Sequence, residues 1–222
     1  MAIDTLIRGG TVIDGTGSGA FTADIAITNG MITDIGRISQ PATRVIDADG
    51  AIVTPGLVDM HTHYDGQATW ANHLSPSSHH GVTTVVAGNC GVGFAPVRPA
   101  DREKLVELME GVEEIPGAVL NEGINWQWES FPEYMDYLDG RQFDMDIGVQ
   151  IPHAPMRVYV MGQRGLDREP ANASDIAAMR ALTHEAMAAG AIGFSSSRSI
   201  NHRSSKGEHT PSCRPRSTRC LA

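Results

Sequence analysis

The sequence predicts an α/β fold in which a small β-module precedes a series of alternating strands and helices. Alternating apolar residues on both sides of Asn29-Gly30 are typical of a two-residue β-hairpin. Farther along the chain, short β-branched runs alternate with segments of helical periodicity, which favours parallel strands joined by helices. Two histidines and a cysteine follow the first two of those runs, which suggests a chemical site at one edge of the sheet.

The β-module is assigned to residues 1–53. Its hairpin joins a strand over residues 24–28 to a strand over residues 31–35. A Pro-Gly turn then leads into the second domain, which is predicted to extend from residue 54 to residue 212.

The first strand of the second domain ends in a His-x-His motif. Successive side chains of a strand point to opposite faces, so His61 and His63 would share one face. Two imidazoles on one face supply half of a tetrahedral metal site. The alternative is a pair of surface histidines after an edge strand. We favour metal ligation, because the turn, a buried strand and the two histidines occur together in the order that such a site requires.

A second predicted strand, over residues 81–88, leads to Cys90. Parallel strands end at the same edge of a sheet, so this thiol is expected beside the two histidines. A thiolate is a good zinc ligand, and the glycine after Cys90 would allow close approach to an ion. Taken alone, Cys90 would be interpreted as a buried structural cysteine. Beside His-x-His, ligation is the favoured interpretation.

Further β/α units complete the predicted domain. The expected elements are a helix over residues 101–112 with Asp101 as its N-cap, a short helix over 129–139 stopped by Gly140, a strand over 145–151, a helix over 175–189 capped by Ser174 and stopped by Gly190, and a strand over 191–195.

These motifs resemble the amidohydrolase superfamily, and more closely its N-acyl-D-amino-acid deacylase branch. The resemblance rests on Pro-Gly-Leu-Val-Asp-Met-His-Thr-His-Tyr-Asp, on Gly-Asn-Cys-Gly and on the Gly-Val-Glu-Glu-Ile-Pro-Gly segment. It continues through Trp-Glu-Ser-Phe-Pro-Glu-Tyr, Pro-His-Ala-Pro-Met-Arg and Gly-Phe-Ser-Ser-Ser-Arg, and covers about residues 3–212. The resemblance implies a metal-dependent (β/α) TIM-type barrel preceded by a small β-sandwich-like module.

The same resemblance implies a function and a set of ligands. It implies hydrolysis of the amide bond of a small N-acyl amino acid, with one or two Zn²⁺ ions as cofactor. By motif position, the metal ligands are His61, His63 and Cys90. In this family, further histidine ligands come from strands five and six and a catalytic aspartate from strand eight. No catalytic residue is assigned here, because those positions have no match in the chain.

The length of the chain conflicts with a complete barrel. A (β/α)₈ barrel needs roughly 250 residues, whereas this chain has 222 in total. We therefore expect an incomplete barrel of four β/α units, truncated near residue 212 and followed by an aberrant basic tail over residues 213–222. A natural basic tail on a short homologue is the alternative. The expected consequence is an inactive chain with exposed sheet edges, which favours self-association or pairing with a separate second-half chain.

Other polar residues near the predicted strand ends are candidates for substrate binding. Tyr64 and Asp65 directly follow the metal motif, and His153, Arg157 and Arg198 follow the third and fourth barrel strands. Hydrogen bonds that order loops are the default role for such residues. Asp65 could equally open a helix.

Composition excludes several classes of function. The formal net charge is −9 and no basic stripe precedes the tail, which argues against a nucleic-acid partner. No leader-like N-terminus and no apolar run of about 20 residues is present, so a cytoplasmic protein without a membrane partner is expected.

Two alternative functions stay open. The first is a dihydroorotase- or hydantoinase-like cyclic-amide hydrolase, against which Cys90 argues because those relatives usually bridge their metals with a carboxylated lysine. The second is a non-enzymatic remnant or half-barrel fragment.

Overall fold

The computed structural model describes residues 2–213 of the chain. The chain divides into two compact units between Gly56 and Leu57. Of the predicted tail, residues 213–222, only Cys213 is described, and the remaining tail residues lie outside the described part.

The first unit contains one five-stranded mixed sheet. Its strands are β1 (Ile3–Val12), β2 (Phe21–Thr28), β3 (Met31–Gly36), β4 (Ala42–Asp47) and β5 (Ile52–Val53). The order is β3-β2-β1-β4, and β5 also pairs with β1. The predicted hairpin is confirmed as β2 and β3, which pair antiparallel. Asn29 and Gly30 have φ values of 52° and 76°, both positive as a type I′ turn requires.

The second unit contains a parallel sheet of four strands. They are β6 (Leu57–Asp59), β7 (Val82–Ala87), β8 (Asp146–Pro152) and β9 (Gly193–Ser195). Each strand pairs with the next one along the chain, in the order β6-β7-β8-β9. Doubly wound sheets reverse their strand order at a switch point, whereas a barrel keeps sequential order. The predicted fold class is confirmed: this sheet is the first half of a (β/α) barrel.

Helices connect and cover these strands. They are α1 (Arg102–Glu113), α2 (Gly117–Gly123), α3 (Phe131–Asp139), α4 (His153–Met161), α5 (Gln163–Leu166) and α6 (Ala173–Ala188). The core of this unit includes Val85 of β7 and Ile151 of β8 together with Leu105 and Met109 of α1, all nearly inaccessible to solvent. Among the described residues, no helix is both long enough and apolar enough to span a membrane.

Two predicted element details are wrong. Ser174 does not cap α6: Asn172 does, in a reciprocal capping box with Asp175 whose two hydrogen bonds are each 2.9 Å long. Asp101 is the N-cap residue of α1, as predicted, although its side chain makes no capping hydrogen bond. The helix predicted from residue 129 begins instead at Phe131. A capping box formed by Ser130 and Glu133 fixes this start. By contrast, Gly190, with φ of 100°, follows the α6 C-cap as predicted.

The strand that leads to the histidines is also not buried as expected. Leu57 and Val58 are 57% and 54% exposed. The reason is position, because β6 lies at one edge of its sheet and pairs with β7 alone.

Candidate metal centre

The two motif histidines follow β6 and are held in place by the residue between them. β6 ends at Asp59, so the histidines lie beyond the strand that was predicted to carry them. The backbone N–H of Thr62 nevertheless donates to the Val86 carbonyl at 3.0 Å, and the Thr62 hydroxyl donates to the same oxygen at 2.8 Å. With Thr62 turned toward β7, alternation places His61 and His63 together on the other side, with ring centroids 5.5 Å apart.

Cys90 lies in a 3₁₀ turn, residues 89–91, directly after β7. Its φ of 55° is in the left-handed region, which non-glycine residues seldom adopt. The side chain of Asn89 holds this turn against the histidine loop by donating to the Thr62 carbonyl at 3.3 Å. As a result, the Cys90 Sγ lies 3.2 Å from Nε2 of His61.

The next two strands also support the cysteine turn. From β8, Gln150 Nε2 donates to Asn89 Oδ1 at 2.9 Å. From β9, the Ser195 hydroxyl accepts from the Gly91 N–H at 3.1 Å and donates to the Gly88 carbonyl. The position of the thiol is therefore supported by hydrogen bonds to residues in or directly after all four strands of the sheet.

The three candidate ligands fit a metal ion. Donor atoms of His61, His63 and Cys90 all lie within 4.8 Å of one another. Both ring nitrogens of His63 are buried without a hydrogen-bond partner, an arrangement that is costly unless a ligand satisfies one of them. Two imidazoles and a thiolate are a donor set that suits zinc and related transition metals.

Burial controls the protonation of the site. Desolvation, followed by the nearby charges of His61 and His202, lowers the pKa of His63 to about 4. His63 is therefore neutral near pH 7, with a lone pair available for a metal. Desolvation also raises the pKa of the Cys90 thiol to about 11, with the negative charge of Glu113 adding to the effect. Metal binding at neutral pH must therefore displace the thiol proton.

Glu113 is a site residue that no sequence pattern singled out. It is the last residue of α1, and its Oε2 lies 3.2 Å from Nε2 of His63. The separation is short enough for an ion pair, but the atoms lack the alignment of a hydrogen bond, since Nε2 has no hydrogen-bond partner. The available signal was the Gly-Val-Glu-Glu segment itself, which belongs to the motifs of the family resemblance.

Tyr64 and Asp65, proposed from the sequence to bind substrate, are buried beside the cluster. The Tyr64 hydroxyl donates to Ser77 Oγ at 3.0 Å. The Asp65 carboxylate accepts from the Gly88 N–H at 2.8 Å and is 1% exposed. Burial raises the pKa of Asp65 to about 7. The Asp65 contact favours a role in holding the histidine and cysteine loops together, whereas Tyr64 joins the histidine loop to the short helix that begins at Ser77.

His153, Arg157 and Arg198 lie farther along the same side of the sheet. His153 begins α4 directly after β8, and its Nδ1 lies 2.9 Å from Ser196 Oγ. Arg157 donates to the Glu169 carbonyl at 2.7 Å, and Arg198 is exposed in the segment after β9. None of the three belongs to the cluster of metal-binding donor atoms.

Metal-free protein is expected to lose stability in mild acid because of its buried histidines. Burial first, and then the charges of Arg157 and Arg198, lowers the pKa of His153 from 6.5 to about 4. In that interval the unfolded chain binds a proton that the folded chain does not. The contribution of His153 to the free energy of unfolding is therefore fully present above pH 6.5 and is lost as pH falls toward 4. The expected loss is about 1 kcal/mol per pH unit, measured by denaturant unfolding.

The substitution His153→Gln should reduce this pH dependence, and His184→Gln, at an exposed position of α6, should leave it unchanged. Asp65 acts in the opposite direction, because its raised pKa favours the folded state as pH falls. Asp65 is present in every variant, so the difference between wild type and His153→Gln isolates His153. Equal slopes in those two proteins would contradict the assignment.

A sequentially ordered parallel half-barrel with two histidines and a cysteine at the carboxyl ends of its first strands defines a (β/α)-barrel protein with a candidate metal centre. A model of the amidohydrolase family matches residues 44–214, and the chain belongs to that family.

The chain is also similar to individual proteins of known sequence and structure. The chain is 35% identical over 193 residues to a D-aminoacylase of Alcaligenes xylosoxydans xylosoxydans, covering 86% of this chain and 37% of that protein. A crystal structure of D-aminoacylase superposes with a TM-score of 0.72 at 35% identity, over 87% of this chain and 38% of that one. The chain thus spans little more than a third of the length of these relatives.

A second solved structure carries a metal. N-acyl-D-glutamate deacylase from Bordetella bronchiseptica was determined with zinc and a phosphonate inhibitor that mimics the tetrahedral intermediate. It matches with a TM-score of 0.70 at 31% identity, over 88% of this chain and 38% of that one.

Proposed function

We propose that this chain supplies the first part of the active site of a zinc-dependent deacylase acting on N-acyl-D-amino acids. The observation that carries the proposal is the cluster of His61, His63 and Cys90 donor atoms within 4.8 Å of one another at the carboxyl ends of β6 and β7. The names of the relatives support the substrate class, because the similar proteins are a D-aminoacylase and an N-acyl-D-glutamate deacylase. Their shared substrate chemistry is an amide bond between an acyl group and a D-amino acid.

The residues of the cluster would each contribute a distinct property. Neutral His63 presents a lone pair without first losing a proton, because its pKa is about 4. Cys90 loses its proton on binding and contributes a negative charge, and His61 lies 3.2 Å from that sulfur. A zinc ion held there would lower the pKa of a water molecule and polarise the scissile carbonyl.

The proposal includes a substrate-binding region formed by His153, Arg157 and Arg198. After burial, the positive charges of Arg157 and Arg198 each lower the pKa of the His153 imidazole. A cationic region beside the metal centre suits the carboxylate of an N-acyl amino acid. Tyr64 and Asp65 act here by positioning the loops through their hydrogen bonds to Ser77 and Gly88.

We further propose that the 222-residue polypeptide does not turn over substrate by itself. The relatives are much longer, and the family resemblance assigns a catalytic aspartate and two more histidine ligands to strands that have no counterpart among residues 2–213. None of those described residues is assigned as a general base. Binding of metal without hydrolysis is the property that these residues support.

The test is zinc content and deacylase activity of the purified 222-residue protein, assayed with N-acetyl-D-methionine and with its L-enantiomer as control. We expect bound zinc and no turnover of either enantiomer. Turnover of the D-enantiomer that is abolished by a chelator would contradict the proposed inactivity and support the substrate class. Absence of zinc binding would contradict the metal centre itself.

A further inference from the structure

Glu113 occupies an unfavourable position for a carboxylate unless a cation lies nearby. It is the last residue of α1, where the partial negative charge of the helix dipole disfavours an anion. Its side chain is only 18% exposed. Among residues 2–213, its close polar neighbours are His63, which is neutral near pH 7, and the Cys90 thiol, whose pKa it helps to raise; no lysine or arginine pairs with it. A largely buried carboxylate at a helix C-terminus therefore has no cation beside it to compensate its charge.

The helix end that carries Glu113 is held firmly on two sides. Gly111 packs so tightly against the backbone near Ser204 that an added Cβ would lie 2.1 Å from its carbonyl carbon. On the other side, the Gly117 N–H donates to Glu110 Oε1 at 2.9 Å. Glu113 is thus presented to the cluster by a fixed backbone, and only its side-chain torsions remain adjustable.

The distances around the cluster are close to those between ligands of one ion, and the His61–Cys90 pair is also within hydrogen-bond distance. With metal–ligand bonds of roughly 2.0–2.3 Å, two ligands of a tetrahedral ion lie about 3.3–3.6 Å apart. His63 Nε2 and Glu113 Oε2 are 3.2 Å apart without hydrogen-bond alignment, and His61 Nε2 and Cys90 Sγ are also 3.2 Å apart. The other Glu113 oxygen, Oε1, is buried and has no hydrogen-bond partner.

We propose that Glu113 is a further carboxylate ligand of the metal centre, in addition to His61, His63 and Cys90. This assignment rests on the metal centre of the proposed function. Two neutral imidazoles, one thiolate and one carboxylate together neutralise a divalent cation, so that these four groups and the ion carry no net charge. Glu113 lies outside the group of atoms within 4.8 Å of one another, so its side chain reaches the ion by a torsional adjustment.

The experiment compares Glu113→Gln with Glu114→Gln in the whole 222-residue chain. Both substitutions remove one negative charge from the same helix end, but Glu114 is exposed and does not belong to the donor cluster. Affinities for Zn²⁺ are measured by competition with a chromophoric chelator. The ligand set is followed by the visible absorption of bound Co²⁺ and by the ¹¹³Cd chemical shift. Unfolding of the metal-free proteins reports whether the substitution damages the fold.

We expect Glu113→Gln to weaken zinc binding by on the order of tenfold to a hundredfold and to change both the Co²⁺ spectrum and the Cd shift. Its metal-free form should be as stable as wild type or more stable, because a buried charge has been removed. Glu114→Gln should resemble wild type throughout.

Three outcomes would overturn the assignment. Wild-type affinity in Glu113→Gln excludes any role in the site. Weakened binding with unchanged Co²⁺ and Cd spectra means that Glu113 orients His63 without coordinating the ion. Reduced stability of the metal-free form with an unchanged ligand set means a structural role. A wild-type chain that binds no zinc overturns the proposed function as well, and so the two failures are distinguishable.

Discussion

Replacing Cys90 with serine is expected to lower the affinity of the chain for zinc by about a hundredfold or more. The substitution keeps the shape of the side chain but exchanges an ionisable thiol for a hydroxyl that stays protonated. The thiol Sγ lies 3.2 Å from Nε2 of His61, so its removal takes away a donor atom at the centre of the cluster.

The pH dependence of binding should change along with the affinity. Since the pKa of the Cys90 thiol is about 11, each ion that binds wild type near neutral pH releases the thiol proton. The apparent zinc affinity of wild type should therefore rise about tenfold per pH unit in this range. In Cys90→Ser this contribution should be absent. Chelator competition at several pH values measures both effects.

Cys213→Ser is the matched control, because it removes the other cysteine of the described residues, which is buried and lies outside the donor cluster. It should keep wild-type affinity and wild-type pH dependence. If the two serine variants bound zinc equally well, the assignment of Cys90 as a ligand would be wrong.

The approach of His61 and His63 could be predicted from the sequence because it depends on short-range features. Residues two apart on an extended backbone share a side, so His61 and His63 come together although β6 ends before them. The approach of Cys90 follows from the common direction of parallel strands, since β6 and β7 both end at this edge. The hairpin at Asn29-Gly30 is local in the same sense, as both residues need positive φ.

Features that depend on long-range contacts were missed. The Glu113 carboxylate reaches His63 across fifty positions of sequence, and the sequence alone gives no register between α1 and the end of β6. The N-cap of α6 was misplaced because Asn172, Ser174 and Asp175 are all good N-terminal residues, and only the reciprocal bonds decide among them. Exposure of β6 reflects the number of strands beside it, which periodicity does not encode.

Gly88→Ala is expected to be the most destabilising single substitution in the scaffold of the site. Gly88 directly follows β7 with a φ of 77°, and a Cβ built on it would lie 2.1 Å from the backbone carbonyl oxygen of Gln150. Because the obstructing atom belongs to β8, relief requires movement of a strand rather than rotation of a side chain. We expect a loss of about 3 kcal/mol or more in the free energy of unfolding.

Gly81→Ala provides the comparison, since Gly81 precedes the same strand with a nearly equal φ of 81° but has open space around it. This control should lose only the left-handed strain of about 1–2 kcal/mol. Denaturant unfolding of both variants measures the difference, and zinc titration of Gly88→Ala shows whether the Cys90 turn has shifted. Equal losses in the two variants would mean that the β7–β8 contact yields easily, and that close approach of Gly88 to Gln150 does not fix the position of Cys90.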